Sequence, residues 1–396
     1  MDPATPALVL HAGHHGALGV ARSLGRLGVP VYLVDSDPRA PAFRSRYCRG
    51  SCVWDIDRAP ANDSVRYLSE ISDKLRRRAL LIATSDASAL FLASNAEALR
   101  KGFLFPHFSP GGTGYLCNKK RMHFLAGSAG IPTVKTFFPE SADDFRAFAR
   151  GAAFPLIVKA TEHGSPSNGS TRKKIIVRNR QEFLNSPKRI SVPDVRNLMV
   201  QDYVPDEVGD IWMFNGYFNA QSQCLFGLAG RKIRQNPPEA GITSLGACLP
   251  NELVVDTSER FMRAIRYEGI VDIDYVFDVR DGLYKVIDVN PRLGCTFRLF
   301  VSDTGMDVVR ALYLDLTGQP VTGGRNPASR KWMVEPLDIA SAFRNWRRGK
   351  LPFTGWARSV RGLQEYAYFA TDDPHPMWAM LVNCFRRNRV FAPGDR

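Results

Sequence analysis

The stretch Val271 to Gly294, VDIDYVFDVRDGLYKVIDVNPRLG, constrains this chain more than any other. Two alternating apolar segments flank Asp281-Gly282, the signature of a β-hairpin. What its acids do depends on register. A two-residue loop of Asp281 and Gly282 pairs Tyr275 with Asp288 and leaves Asp274 on the opposite face. A three-residue loop, Arg280-Asp281-Gly282, with Gly282 left-handed in a bulge, pairs Asp274 with Asp288. Asn290 then shares their face, because side chains repeat every two residues along a strand. The second register is favoured, since it gathers three hard oxygen donors, the set that suits magnesium with phosphates and water completing its shell. A merely acidic solvent face is the bland alternative.

The first hundred residues read differently. ALVLHAG, PVYLVD and ALLIATSD are strands, and helices are expected at Ala17 to Leu27, Ser64 to Arg77 and Ala87 to Arg100. That alternation predicts a doubly wound α/β unit with a parallel sheet. Its first turn carries Gly13, Gly16 and Gly19, and Asp35 ends the second strand. This imitates a dinucleotide site, but the spacing is G-x-x-G-x-x-G rather than G-x-G-x-x-G. A helix N-terminus at such a turn favours anions, so Gly13, His14, His15 and Gly16 are candidates for binding an acidic substrate. Beyond the break SPGGTGYLCNKK, helices and the strand PLIVKA precede the polar loop TEHGSPSNGSTRKK. Strands then dominate, so an α+β region follows the α/β one.

Composition excludes several classes. No apolar run in the 396 residues approaches the ~20 needed to span a bilayer, and MDPATPALVL lacks the basic start of a secretion signal. Seven scattered cysteines, with only Cys48 and Cys52 close together, make neither a disulfide framework nor a zinc site. A reduced, cytoplasmic protein is expected. The formal charge is +14, and residues 326–396 hold twelve Lys/Arg against six acids. No basic run is interleaved in the manner of a nucleic-acid module, so no nucleic-acid partner is expected. The tail remains suited to weak contact with an anionic membrane surface.

Asp288-Val289-Asn290-Pro291-Arg292, following the carboxylate strand, resembles the metal-binding end of ATP-grasp carboxylate–amine ligases. Other landmarks fall in that superfamily's order. Lys119 precedes a G-I-P element, with Lys120 beside it as an alternative, and Lys159 ends the strand FPLIVKA. EHGSPSNGS, with Gly164, Ser165, Ser167 and Gly169, stands where the family has its phosphate lid. MVQDYVPDE resembles the hinge strand: Gln201, Asp202, Tyr203 and Val204 would contact adenine, and Glu207 or Asp210 the ribose. The resemblance implies ATP and Mg2+ as cofactors, with Mn2+ as a substitute, and a metal site of Asp274, Asp288 and Asn290. It also implies an N-terminal Rossmann-like domain over 1–110, followed by an ATP-grasp fold with subdomains at 111–195 and 196–325. A basic, aromatic extension covers 326–396. Asp288 where the family more often has Glu, and Gln201 where many members have Glu, depart from its pattern.

The resemblance implies an ATP-dependent ligase that activates a carboxylate as an acyl-phosphate and joins it to an amine. Small-molecule carboxylate and amine substrates and a homodimer are the partners it allows. Arg292 would stabilise the oxyanion, and Lys232 and Arg234 the transferred phosphoryl group. Two other readings compete: an NAD(P)-dependent oxidoreductase built on the first turn, and a non-catalytic ATP-binding module docking through the basic tail.

Overall fold

The computed structural model describes residues 1–107, 112–161, 174–192, 194–204, 211–238, 241–327 and 329–387. Gly164, Ser165, Ser167, Gly169, Glu207 and Asp210 lie outside them.

The five-stranded sheet of the N-terminal hundred residues comprises β1 (Ala7–Leu10), β2 (Val31–Asp35), β3 (Cys48–Val53), β4 (Ala79–Ala83) and β5 (Phe103–Leu104). Its order is β3-β2-β1-β4-β5, with every pairing parallel. That is the doubly wound arrangement the strand–helix alternation predicts. β1 is central and buried along its whole length, which is why ALVL shows no alternation. The helix α1 (His15–Gly25) follows it and joins one core with Phe297, Val308 and Tyr313 from much later in the chain.

Two antiparallel-rich sheets follow. The smaller contains β6 (Thr136–Phe137), β7 (Leu156–Ala160), β8 (Lys174–Val177) and β9 (Leu198–Asp202), ordered β6-β9-β7-β8. The larger contains β10 (Ile211–Phe218), β11 (Cys224–Asn236), β12 (Ile242–Cys248), β13 (Gly269–Asp278), β14 (Leu283–Asn290), β15 (Arg330–Met333) and β16 (Leu363–Tyr366). Its order is β14-β13-β10-β11-β12-β15-β16.

The β13–β14 hairpin pairs Asp274 with Asp288, as the favoured register requires, but reaches it by another route. The expected three-residue loop is corrected to four residues, 279–282, because Asp278 pairs with Leu283. Gly282 is left-handed, with φ +70°, and its amide donates to the Asp278 carbonyl at 2.8 Å. The register then shifts by one between the pairs Tyr275–Val286 and Asp274–Asp288, so Ile287 is the extra residue of a β-bulge. The bulge restores the acid-on-acid rung that the longer loop would have lost.

Residues after 326 build onto the larger sheet. β15 pairs antiparallel with β12, and β16 adds parallel at the edge. Helices Glu335–Arg347, Phe353–Val360 and His375–Arg387 accompany them. Two buried ion networks fasten this segment down. Arg298 donates to Glu365 Oε1 at 2.8 Å and Oε2 at 2.7 Å, and to Asp307 Oδ2 at 2.6 Å, while Arg330 also contacts Glu365. Arg22 on α1 donates to Asp373 Oδ2 at 3.0 Å and to the Ala367 and Tyr368 carbonyls. Asp373 also accepts from Ser45 Oγ at 2.7 Å and the Arg46 amide at 2.9 Å. Among the described residues, no helix is long and apolar enough to cross a membrane.

Burial alone would raise the Glu365 pKa, but the guanidinium groups of Arg298 and Arg330 outweigh it and hold the carboxyl down to about 2. Its stabilising contribution is therefore present above the ordinary value of 4.5 and is lost as pH falls towards 2. Glu365→Gln should lower stability near neutral pH by about 1–3 kcal/mol, since half-buried Arg330 loses its carboxylate partner while Arg298 keeps Asp307. Chemical denaturation of both proteins across pH should show that gap narrowing below the ordinary carboxylate range.

Candidate active site

Like charges on one rung repel, so the Asp274–Asp288 pair needs cations close by, and two lysines supply them. Lys232 on β11 donates to Asp274 Oδ2 at 2.6 Å. Lys119 contacts Asp288 Oδ1 from the first position of helix Lys119–Ser128, whose cap is the Asn118 side chain. Lys120 instead lies over the Phe138 ring, so Lys119 is the lysine at the site.

Two further lysines complete the cluster. Lys159 on β7 and Lys174 on β8 are register partners in the smaller sheet. Burial, then the ammonium groups of Lys174 and Lys119, push the Lys159 pKa down to about 7, against the pull of Asp288 and Asp274. Burial and Lys232 push Lys174 down to about 8. Four lysines thus face two carboxylates, and the two whose charge is disfavoured by burial and by one another would regain it beside a polyanion.

A slot runs from these lysines between the two antiparallel sheets. Ile157, Ile175, Ile211, Val276 and Ile287 make its apolar walls, and Gln201, Asp202, Tyr203 and Val204 line it as well. Such a slot suits a flat heteroaromatic ring, with the cationic end left for its phosphates. Gln201 is buried, and its side-chain amide donates to Thr136 Oγ1 at 3.1 Å.

On the next rung, Asn290 pairs with Asp272. Arg292 donates to the Asn290 side-chain oxygen at 3.1 Å and to Asp86 Oδ1 at 2.9 Å. Asp272 accepts from Asn215 at 3.5 Å, and burial followed by repulsion from Asp274 raises its pKa to about 7. Gly294 lies against this carboxylate: a Cβ there would come within 2.5 Å of Asp272 Oδ2.

Three expectations are corrected. Arg234 is not brought to the cluster. Lys232 pairs with Gly246 and Arg234 with the adjacent Leu245, so a bulge at Ile233 turns Arg234 to the other face. There it is buried on Asp338, at 2.7 and 3.0 Å. His14 is not free to hold a substrate. Its Nδ1 accepts from the Gly16 amide at 3.0 Å as the cap of α1, and its Nε2 meets the Thr84 carbonyl at 3.2 Å. Burial and then Arg292 lower its pKa to about 4. His15 points into the core beside Trp332 and Tyr368, and burial lowers its pKa to about 3. Gly13 does lie in the turn and Gly16 at the start of α1, but Asp35 overlies Gly13 and His14 takes the Gly16 amide.

No protein-family model matches the chain. It is 25% identical over 339 residues to a D-aspartate ligase of Enterococcus faecium (strain Aus0004), covering 81% of this chain and 80% of that one. Among solved structures it superposes on N5-carboxyaminoimidazole synthetase from Staphylococcus aureus, complexed with ADP. The TM-score is 0.63 at 13% identity, with 83% of this chain and 82% of that one covered. The chain has the ATP-grasp fold. An L-amino acid ligase from Bacillus licheniformis superposes with TM-score 0.59 at 14% identity, covering 79% of this chain and 74% of that one.

Within this ATP-grasp fold, three residues of the cluster escaped the sequence reading. Lys174 was hidden at the end of a polar, basic loop; only its register with Lys159 places it. Asp86, the first residue of helix Asp86–Ser94, meets Arg292 across 206 positions and had no local signal. Asp272 could have been found, since it stands two residues before Asp274 in the same strand.

The opposite facings of Lys232 and Arg234 can be tested by parallel substitutions. Arg234→Met strands buried Asp338 and should cost about 3–5 kcal/mol in urea denaturation. Lys232→Met should cost less than that, because Lys159 and Lys174 remain close to Asp274.

Proposed function

We propose that this chain is an ATP-dependent ligase that activates a carboxylate as an acyl-phosphate and joins it to an amine. The observation that carries this reading is the convergence of Lys119, Lys159, Lys174 and Lys232 on Asp274 and Asp288 at the end of an apolar slot. A nucleoside triphosphate matches both ends of it.

Adenine enters the slot against Gln201, Asp202, Tyr203 and Val204, and Glu207 or Asp210 takes the ribose hydroxyls. Lys119, Lys159 and Lys174 hold the phosphate chain, and Lys232 faces the transferred group. The segment holding Gly164, Ser165, Ser167 and Gly169 covers the phosphates and keeps water from them. A substrate carboxylate oxygen attacks the γ-phosphorus, the bond to the β,γ-bridging oxygen breaks, and ADP leaves. The amine then attacks the acyl carbon, phosphate departs, and the amine loses a proton. Arg292, two residues beyond Asn290 and half-buried against Asp86, is placed to stabilise the oxyanion of that addition. Asp274, Asp288 and Asn290 form a hard-oxygen set fit for Mg2+, or Mn2+, which supplies charge neutralisation at the phosphates when bound. The relative named as a D-aspartate ligase and the neighbour named as an L-amino acid ligase support an amino acid as one substrate.

The oxidoreductase reading loses its main support, because the first turn is capped by its own His14. We further assign 1–110, 111–195, 196–325 and 326–396 as the organisational units, with a homodimer and a cytoplasmic setting.

Isothermal titration with Mg-ATP should show Lys159→Met weakening affinity at least tenfold; equal affinity would overturn the proposal. Incubation of wild type with Mg-ATP, pooled amino acids and amines should release ADP and phosphate with a new amide detectable by mass spectrometry. Asp288→Asn should lower that turnover by about a hundredfold or more.

A further inference from the structure

Helix Glu335–Arg347 buries Asp338, Ala340 and Ser341, yet presents Ile339, Phe343 and Trp346 to solvent. Those positions, i, i+4 and i+7, form one stripe of a helix. Helix His375–Arg387 repeats the pattern. It buries Met380 but exposes Trp378, Val382 and Phe385 at the same spacing. Trp346 is 57% exposed, Trp378 66% and Phe385 80%. Phe353, which begins the helix between these two, is 69% exposed. An exposed leucine or valine is ordinary on a protein surface; two ordered apolar stripes ending in Trp and Phe are not.

The charge around the stripes identifies what covers them. From Ile339 to Gln364 the sequence has six Lys/Arg and no acid, and none occurs from Pro374 to Arg387. Arg347, Arg348, Lys350, Arg358, Arg361 and Arg386 are exposed. The acids of helix Glu335–Arg347 are withdrawn. Asp338 is buried on Arg234, and Glu335 accepts from the Tyr368 and Phe369 amides. A second copy of the Glu335–Arg347 helix and the basic stretch after it would oppose cation to cation. A nucleic acid would be met by the arginines but would leave the aliphatic and aromatic stripe wet. A bilayer surface takes both, with rings seated at the acyl boundary and guanidinium groups among anionic headgroups.

We propose that the C-terminal segment docks the protein on an anionic lipid surface through the Ile339–Phe343–Trp346 and Trp378–Val382–Phe385 stripes. Both stripes are braced against the catalytic frame. Asp338 holds Arg234, two residues from Lys232, and Asp373 holds Arg22 on α1 just before the second helix starts. Docking does not depend on the ligase reading and requires no turnover.

The test is co-sedimentation of the full chain with extruded phosphatidylcholine vesicles, with and without phosphatidylglycerol. Wild type should pellet with the anionic vesicles, shift its tryptophan emission to the blue, and be released by high salt. Arg347→Glu with Arg348→Glu should weaken binding by about tenfold or more. Trp346→Ala with Trp378→Ala should abolish pelleting while leaving Mg-ATP affinity unchanged, which controls for folding. Loss from one tryptophan variant alone supports docking through that helix. Three results overturn the proposal: no pelleting with anionic vesicles, equal pelleting with neutral ones, or binding unaffected by the double tryptophan change. Retention on RNA, or a dimer broken by the tryptophan changes, without vesicle binding would likewise overturn it.

Discussion

Two carboxylates facing each other on one rung of a sheet are the constraint around which this molecule is organised. Asp274 and Asp288 cannot stand together in a half-buried cleft without neighbouring cations. The cations come from four separate elements: β7, β8, β11 and the helix beginning at Lys119. The two antiparallel sheets and that helix therefore have to meet at this rung. Their meeting leaves an apolar slot with a cationic end. Charge complementarity, not a continuous motif, defines the site.

The rest of the frame keeps that rung at the junction with the parallel sheet. Met213, Tyr217 and Leu228 share a core with α1 and β1. Arg292 reaches from the end of β14 to Asp86, which follows β4. The apolar slot and the first turn thus lie on either side of the Asn290–Arg292 strand end. The glycine turn resembles a dinucleotide cradle in sequence, yet its anion-facing amide is spent on its own histidine cap.

Much of this was legible beforehand, and the failures have physical causes. The hairpin could be read because alternation and Asp-Gly are local signals, and the pairing of Asp274 with Asp288 followed. The bulge at Ile287 was not legible, since an inserted residue leaves no mark on composition. The same limitation misplaced Arg234: period-two reasoning puts it beside Lys232, and the bulge at Ile233 reverses that. β3 was missed because CRGSCV is small and polar, and alternates between half-buried and exposed positions. In sequence, His14 and His15 are candidates for holding an acidic substrate at the first turn. One serves as a helix cap and the other packs against Trp332, neither of which sequence distinguishes from a binding role.

The Arg22–Asp373 pair joins residues 351 positions apart. A chain made from its N-terminus exposes Arg22, and the apolar face of α1 around it, long before Asp373 exists. The parallel sheet can form early, but one of its helices carries a guanidinium whose buried partner is still unmade. The buried surroundings of Arg22 are therefore completed only once Asp373 has been made.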